Sequence, residues 1–110
     1  MSFELSLNTG TTPHLDLAEA CRATAEAGLA HIGPWRHLVE AAGGAEAARR
    51  IVDDHGLSVT SLCRGGFLTA ATAEGRETAL ASNRDAVVEA ATLGTAELIM
   101  VVGGLPSAAH

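Results

Sequence analysis

Residues 57–67, Leu57-Ser58-Val59-Thr60-Ser61-Leu62-Cys63-Arg64-Gly65-Gly66-Phe67, decide the fold. The stretch opens on Leu57, Val59, Thr60 and Leu62, apolar or β-branched residues that suit a strand. It ends in Arg64-Gly65-Gly66, a cation followed by two residues without side chains. A helical pattern closed by Gly56 precedes it and another follows. It therefore reads as the third strand of a βαβ series, with Arg64 at the carboxyl end, where parallel α/β sheets and barrels bind ligands. Arg64 can fork onto a carboxylate, a phosphate or sugar hydroxyls, and Gly65 and Gly66 let a ligand approach the backbone closely. The same residues also fit a surface turn with a solvated arginine. Spacing alone leaves both open.

Upstream, Phe3–Asn8 alternates, with Phe3, Leu5 and Leu7 against Glu4, Ser6 and Asn8, as in a strand with one polar face. After a loop with Gly10 and Pro13, Asp16 and Glu19 form a capping-box pair opening a helix. Leu17, Ala20, Cys21, Ala25 and Ala27 give that helix its apolar side, and Gly28 supplies the stop. Leu29–Trp35 is a second strand that must end near Pro34, which has no N–H for a ladder. Arg36–Ala42 reads as a turn of helix that Gly43-Gly44 breaks. Ala45, Ala48, Ile51 and Val52 then make a helical stripe running to Gly56.

Downstream, Thr69–Thr72 is a polar loop and Ala73–Leu93 a long helix, with Leu80, Val87, Val88 and Ala91 on one face. Gly94 ends it. Glu97–Val102 is a fourth strand, apolar without alternation from Leu98, as expected of a parallel strand buried on both faces. Gly103-Gly104-Leu105-Pro106 closes it. Gly28, Gly56 and Gly94 each end a helix and are followed at once by strand residues, the mark of a repeated αβ unit. Right-handed crossovers then bring Asn8-Thr9, Trp35-Arg36-His37, Cys63-Arg64-Gly65-Gly66 and Gly103-Gly104 to one face.

With 110 residues, 47% of them hydrophobic, the chain makes one domain with a packed core. Its net charge is −6, and its seven basic residues are all arginines scattered along the chain, which argues against nucleic acid and against a polybasic membrane anchor. Leu98–Val102 is too short to span a bilayer, and Met1-Ser2-Phe3-Glu4 lacks the character of a secretory leader. Cys21 and Cys63 are far apart and read as reduced thiols, so the cytoplasm is the expected compartment.

Familiar motifs are missing: no dinucleotide fingerprint, no Walker loop in a chain without lysine, no nucleophile elbow. His14, His31, His37, His55 and His110 show no metal-binding spacing. His37 lies nearest a strand end and can reach a ligand there. His55 reads as a helix C-terminal residue beside the dipole, and His31 as structural. Trp35, the sole tryptophan, either walls a pocket or packs against the next helix. Asn8 points with Glu4 and Ser6 toward the polar side, where its amide needs partners.

The order IGPWRH, a helix, VTSLCRGGF, a helix containing Asn83-Arg84, and ELIMVVGGLP resembles the start of sugar phosphate isomerase/epimerase proteins, members of the xylose-isomerase-like TIM barrels. Hydroxypyruvate isomerase, inositol-catabolism enzymes and endonuclease IV share that superfamily. The resemblance implies that residues 1–110 form the first half of a (β/α)8 barrel, about four parallel strands alternating with three helices. It implies a sugar or keto-acid substrate, proton transfer next to its carbonyl, and a divalent metal (Mn, Mg, Co or Zn) in the whole barrel. By the same resemblance Trp35 and Arg64, with Asn8, form part of the substrate pocket. The metal ligands and the proton-transfer base of the family lie mostly in later strands, and no position here matches one. The tail Ser107-Ala108-Ala109-His110 departs from the family pattern. The expected role is thus a substrate-binding portion without catalysis of its own, which self-associates or is completed by a C-terminal half. A small standalone α/β module that binds a ligand or partner, and a purely structural half-barrel, are the alternatives.

Overall fold

The computed structural model describes residues 4–66 and 68–103. The expected strand start at Phe3, Phe67 at the end of the third expected strand, and everything from Gly104 to His110 lie outside the described residues. The elements run β1 (Ser6–Asn8), α1 (Leu17–Glu26), β2 (His31–Gly33), α2 (Arg36–Ala41), α3 (Ala45–Asp54), β3 (Ser58–Val59), β4 (Leu62–Gly66), α4 (Ala73–Leu93) and β5 (Leu98–Val101). A 3-10 turn, Thr9–Thr11, follows β1. The fold is α/β with parallel strands and four helices. The fourth helix arises because Arg36–Ala41 forms a complete helix.

Helix ends follow local hydrogen bonding. Asp16 Oδ1 accepts from the Glu19 N–H at 2.8 Å and Glu19 Oε1 from the Asp16 N–H at 3.0 Å, the expected capping box. Thr72 Oγ1 accepts from the Gly75 N–H at 3.0 Å and opens α4. At the other end of that helix Gly94 has a φ of +82°, the left-handed stop that a side chain resists. His55 caps α3, with Nδ1 2.8 Å from the Ile51 carbonyl oxygen.

All strand pairs are parallel, in the orders β1-β2-β3 and β4-β5. The expected single strand from Leu57 to Phe67 is broken at Thr60-Ser61. The Ser58 and Thr60 N–H groups donate to Ala30 and Ile32, as in a regular ladder, but the next donor to this neighbour is Cys63, onto Pro34. One residue too many has been inserted on this side, which is the geometry of a β-bulge. Beneath it Gly33 leaves the space, since a Cβ there would come within 3.3 Å of Ser61 Oγ. A lone bridge between Trp35 and Cys63 continues the pairing across the break. β1 is likewise shorter than expected, because Glu4 and Leu5 do not join the ladder.

The core lies between helices and sheet: Leu17, Ala20 and Cys21 of α1, Ile32 of β2, Leu38 and Val39 of α2, Ala48 and Val52 of α3, Leu57, Val59 and Leu62, and Ala90 and Leu93 of α4. Burying each of the larger aliphatic side chains contributes roughly 1.5–3 kcal/mol. Arg36 ties α2 to α4 by a forked pair with Glu89, with NH2–Oε2 2.7 Å and Nε–Oε1 3.3 Å.

Two expectations about burial are corrected. The apolar face of α4 built on Leu80, Val87 and Val88 is 49%, 59% and 65% exposed, and the helix packs inward through Ala86, Ala90 and Leu93. Small residues at that spacing let α4 lie close on α3 and β4, so the larger side chains are left outside. β5 is not buried on both faces either: Ile99 is 45% and Met100 46% exposed. It is the end strand, with β4 as its one neighbour among the described residues.

Candidate functional site

The carboxyl ends of β1, β2 and β4 meet, and the turn after β1 organises the meeting. Asn8 closes β1 and caps the 3-10 turn, its Oδ1 accepting from the Gly10 N–H at 2.8 Å. The same oxygen accepts from Trp35 Nε1–H at 2.6 Å. Thr9, which is buried, accepts with Oγ1 from the Trp35 backbone N–H at 3.0 Å. Indole and main chain of Trp35 are therefore both held, the one from the last residue of β1 and the other from the turn that follows it. Gly10 completes the seat, because a Cβ there would lie 2.5 Å from the indole ring.

Arg64 reaches this site through an irregularity in its own strand. Cys63 pairs with Ile99 and Gly65 with Met100, so Arg64 is the extra residue of a bulge between β4 and β5. Bulges re-aim a side chain out of the regular alternation. The Arg64 guanidinium carbon sits 4.9 Å from the centre of the Trp35 ring, within cation–π range. His37, in the first turn of α2, meets the indole edge-on at a centroid distance of 6.1 Å. A cavity of about 300 Å³ is lined by Trp35, Arg36, His37, Cys63 and Arg64. Among the described residues that line it there is no carboxylate, although the chain carries a net charge of −6. Arg36, paired with Glu89, and Arg64 both border the cavity, with His37 as a further donor or acceptor.

Of the residues singled out in the sequence, Asn8, Trp35, His37 and Arg64 thus come together. Gly65 and Gly66 are occupied differently. Both are buried, a Cβ on Gly65 would lie 2.8 Å from Asn83 Oδ1, and one on Gly66, where φ is +102°, would collide with the Val101 backbone. Asn83 Nδ2 donates to the Gly66 carbonyl at 2.8 Å while its Oδ1 accepts from the Gly66 N–H. The space that the glycines leave is filled by α4 and β5. Gly10 and Asn83 were not legible as site-building residues, and Thr9 was expected on this face only as the neighbour of Asn8. An asparagine in the middle of a long helix, where its propensity is poor, was the one available signal.

A second, larger hollow of about 710 Å³ lies among α2, the start of α3 and α4, lined by Arg36, His37 and three carboxylates, Glu40, Asp85 and Glu89, among others. His37 borders both hollows. Cys21 is fully buried, and that burial pushes its thiol up to about 11, which makes it a packing residue and a poor nucleophile. The metal ion that the resemblance implies finds no fitting set of ligands: among the described residues no group of three or more His, Cys, Asp or Glu side chains is placed to hold one. No helix among the described residues is long and apolar enough to cross a membrane.

No model of a known protein family matches the chain, and no curated protein matches it. Among solved structures it is similar to the crystal structure of protein SMc04130 from Sinorhizobium meliloti 1021, with 46% sequence identity and a TM-score of 0.87. The match takes in 96% of this chain and 38% of that one. The chain thus spans well under half the length of this relative, and the α/β arrangement described above is that of the matched portion.

Proposed function

We propose that this chain is the N-terminal portion of a sugar (phosphate) isomerase/epimerase-like (β/α)8 barrel, which binds part of a sugar or keto-acid substrate and is not catalytic alone. The observation that carries the proposal is the assembly of Asn8, Trp35 and Arg64 at the carboxyl ends of parallel strands, the end where barrels of this kind hold ligands. The 96% match to a portion of a much longer chain supports the half-barrel part of it. Arg64 grips an anionic or hydroxyl-rich end of the substrate, His37 adds a polar contact at the cavity wall, and the indole keeps the guanidinium in place and sheds water from one side of it. Proton transfer next to the carbonyl, and the divalent metal that would assist it, belong to residues outside this chain. The open side formed by β5 and the outer face of α4 is covered by a second copy or by a C-terminal half. Cytoplasmic residence is part of the same proposal, supported by the unpaired thiols Cys21 and Cys63.

Trp35 is the only tryptophan, so its emission reports directly on this site. Titration with pentose and hexose phosphates and with hydroxypyruvate is expected to give a saturable change for at least one of them. Arg64→Leu should abolish that change. A wild-type chain that responds to none of these compounds overturns the proposal.

A further inference from the structure

We infer that Asn8 and Gly10 are positioning residues for Arg64, acting through the Trp35 indole, and not residues that touch the substrate themselves. The inference rests on the proposal that Arg64 grips the substrate, and it assigns the turn after β1 the task of aiming that grip.

Three observations meet here. A single oxygen, Asn8 Oδ1, accepts from both the Gly10 N–H at 2.8 Å and Trp35 Nε1–H at 2.6 Å, so the tilt of the indole is locked to the turn. Gly10 lies so close to the indole that a methyl group would come 2.5 Å from one ring carbon and 2.6 Å from the next, forcing the ring to swing away. The guanidinium of Arg64 is stacked on that same ring at 4.9 Å, and the residue before it, Cys63, is itself within 3.9 Å of the Asn8 amide nitrogen. A planar cation on an aromatic face takes its orientation from the plane beneath it. Moving the ring therefore moves the fork that Arg64 presents to the cavity. Asn8 has its carbonyl oxygen committed to the two donors, and is thereby an orienting group.

The test reads the stack itself. In nuclear magnetic resonance spectra of the 110-residue chain, the side-chain protons of Arg64 should carry an upfield ring-current shift that vanishes in Trp35→Leu. Asn8→Leu and Gly10→Ala should lose most of that shift, whereas Asn8→Asp, which keeps an acceptor oxygen, should retain it. Exchange of the indole N–H in the unmodified chain needs no variant and should be slowed by about tenfold or more relative to a free indole. Titration with inorganic phosphate followed at Trp35 should show affinity weakened about tenfold in Asn8→Leu and lost in Arg64→Leu. A full ring-current shift in folded Asn8→Leu and Gly10→Ala, or an unprotected indole N–H in the unmodified chain, overturns the positioning role. Failure of the unmodified chain to bind phosphate or any sugar phosphate while the ring-current pattern holds overturns the grip assigned to Arg64 and leaves the positioning geometry standing.

Discussion

Asn83, in the middle of α4, satisfies both polar groups of the Gly66 backbone: Nδ2 donates to its carbonyl at 2.8 Å and Oδ1 accepts from its N–H. A side-chain amide here does what a neighbouring strand does elsewhere in the sheet. It also donates to the Ala79 carbonyl one turn earlier, which fixes its rotamer. The helix is thereby pinned to the end of β4, two residues past Arg64.

Asn83→Leu removes both partners from a buried backbone unit. Leaving those groups unpaired costs about 1–3 kcal/mol. Equilibrium urea unfolding should show a loss in that range for Asn83→Leu. Asn83→Asp keeps the acceptor for the Gly66 N–H but loses the donor to its carbonyl, and should fall between Asn83→Leu and the unmodified chain. Equal stability of all three would mean that the clamp contributes nothing.

Arg36 and Glu89 join α2 to α4 through two hydrogen bonds, and Arg36 NH1 also reaches Ser82 Oγ at 3.3 Å. Both charged side chains are mostly shielded, so the pair is worth more than one on the open surface. Arg36→Ala should lower stability by about 1–2 kcal/mol. The loss should shrink when Glu89→Ala is already present, a coupling that a double-mutant cycle measures.

The buried Cys21 thiol has its pKa raised from 9.0 to about 11. The neutral thiol is the form that the fold favours, and the unfolded chain gives up this proton first as pH rises. The contribution is fully present below pH 9 and is lost as pH rises toward 11, by roughly 2–3 kcal/mol in all. Comparing the unfolding of the unmodified chain with that of Cys21→Ala between pH 8 and 11 isolates it: the difference between the two should narrow by about that amount as the pH climbs. A gap that stays constant or widens contradicts the assignment. Iodoacetamide at pH 8 should leave Cys21 unmodified in the native chain.

The outer face of α4 and the edge of β5 carry Leu80, Val87, Val88, Ile99 and Met100, all substantially exposed. Among the described residues β5 has β4 as its one strand neighbour, and a sheet edge beside such side chains invites pairing. Sedimentation of the 110-residue chain is expected to show concentration-dependent self-association, weakened by Ile99→Lys. A monomer at every concentration with a cooperative melt speaks against it.

Much of the fold was legible because its signals are local. The capping box at Asp16, the left-handed glycines at 28, 56 and 94, and the span of α4 from Ala73 to Leu93 follow from hydrogen bonds and φ values within a few residues. So did the placing of Asn8, Trp35, His37 and Arg64 near strand ends, since each follows a strand pattern closed by glycine, proline or a turn.

What tertiary structure alone decided was every feature that depends on a distant partner. Residues 58–66 are split into two strands because the register with β2 slips by one residue at Ser61, and Arg64 is extruded because the register with β5 slips again. Neither slip alters the local pattern of side chains. Which face of α4 is buried was settled by close contact through alanines with α3 and β4, against the larger hydrophobic residues that periodicity favoured. Gly10 gained its role from a ring 25 residues on, Thr9 from a backbone N–H 26 residues on, and Asn83 from a backbone 17 residues back along the chain. Local sequence sets where elements begin and end, because those choices are made by neighbouring backbone groups. The aim of Arg64 is set by Trp35, Asn8 and the bulge together, and only the folded chain brings them within reach.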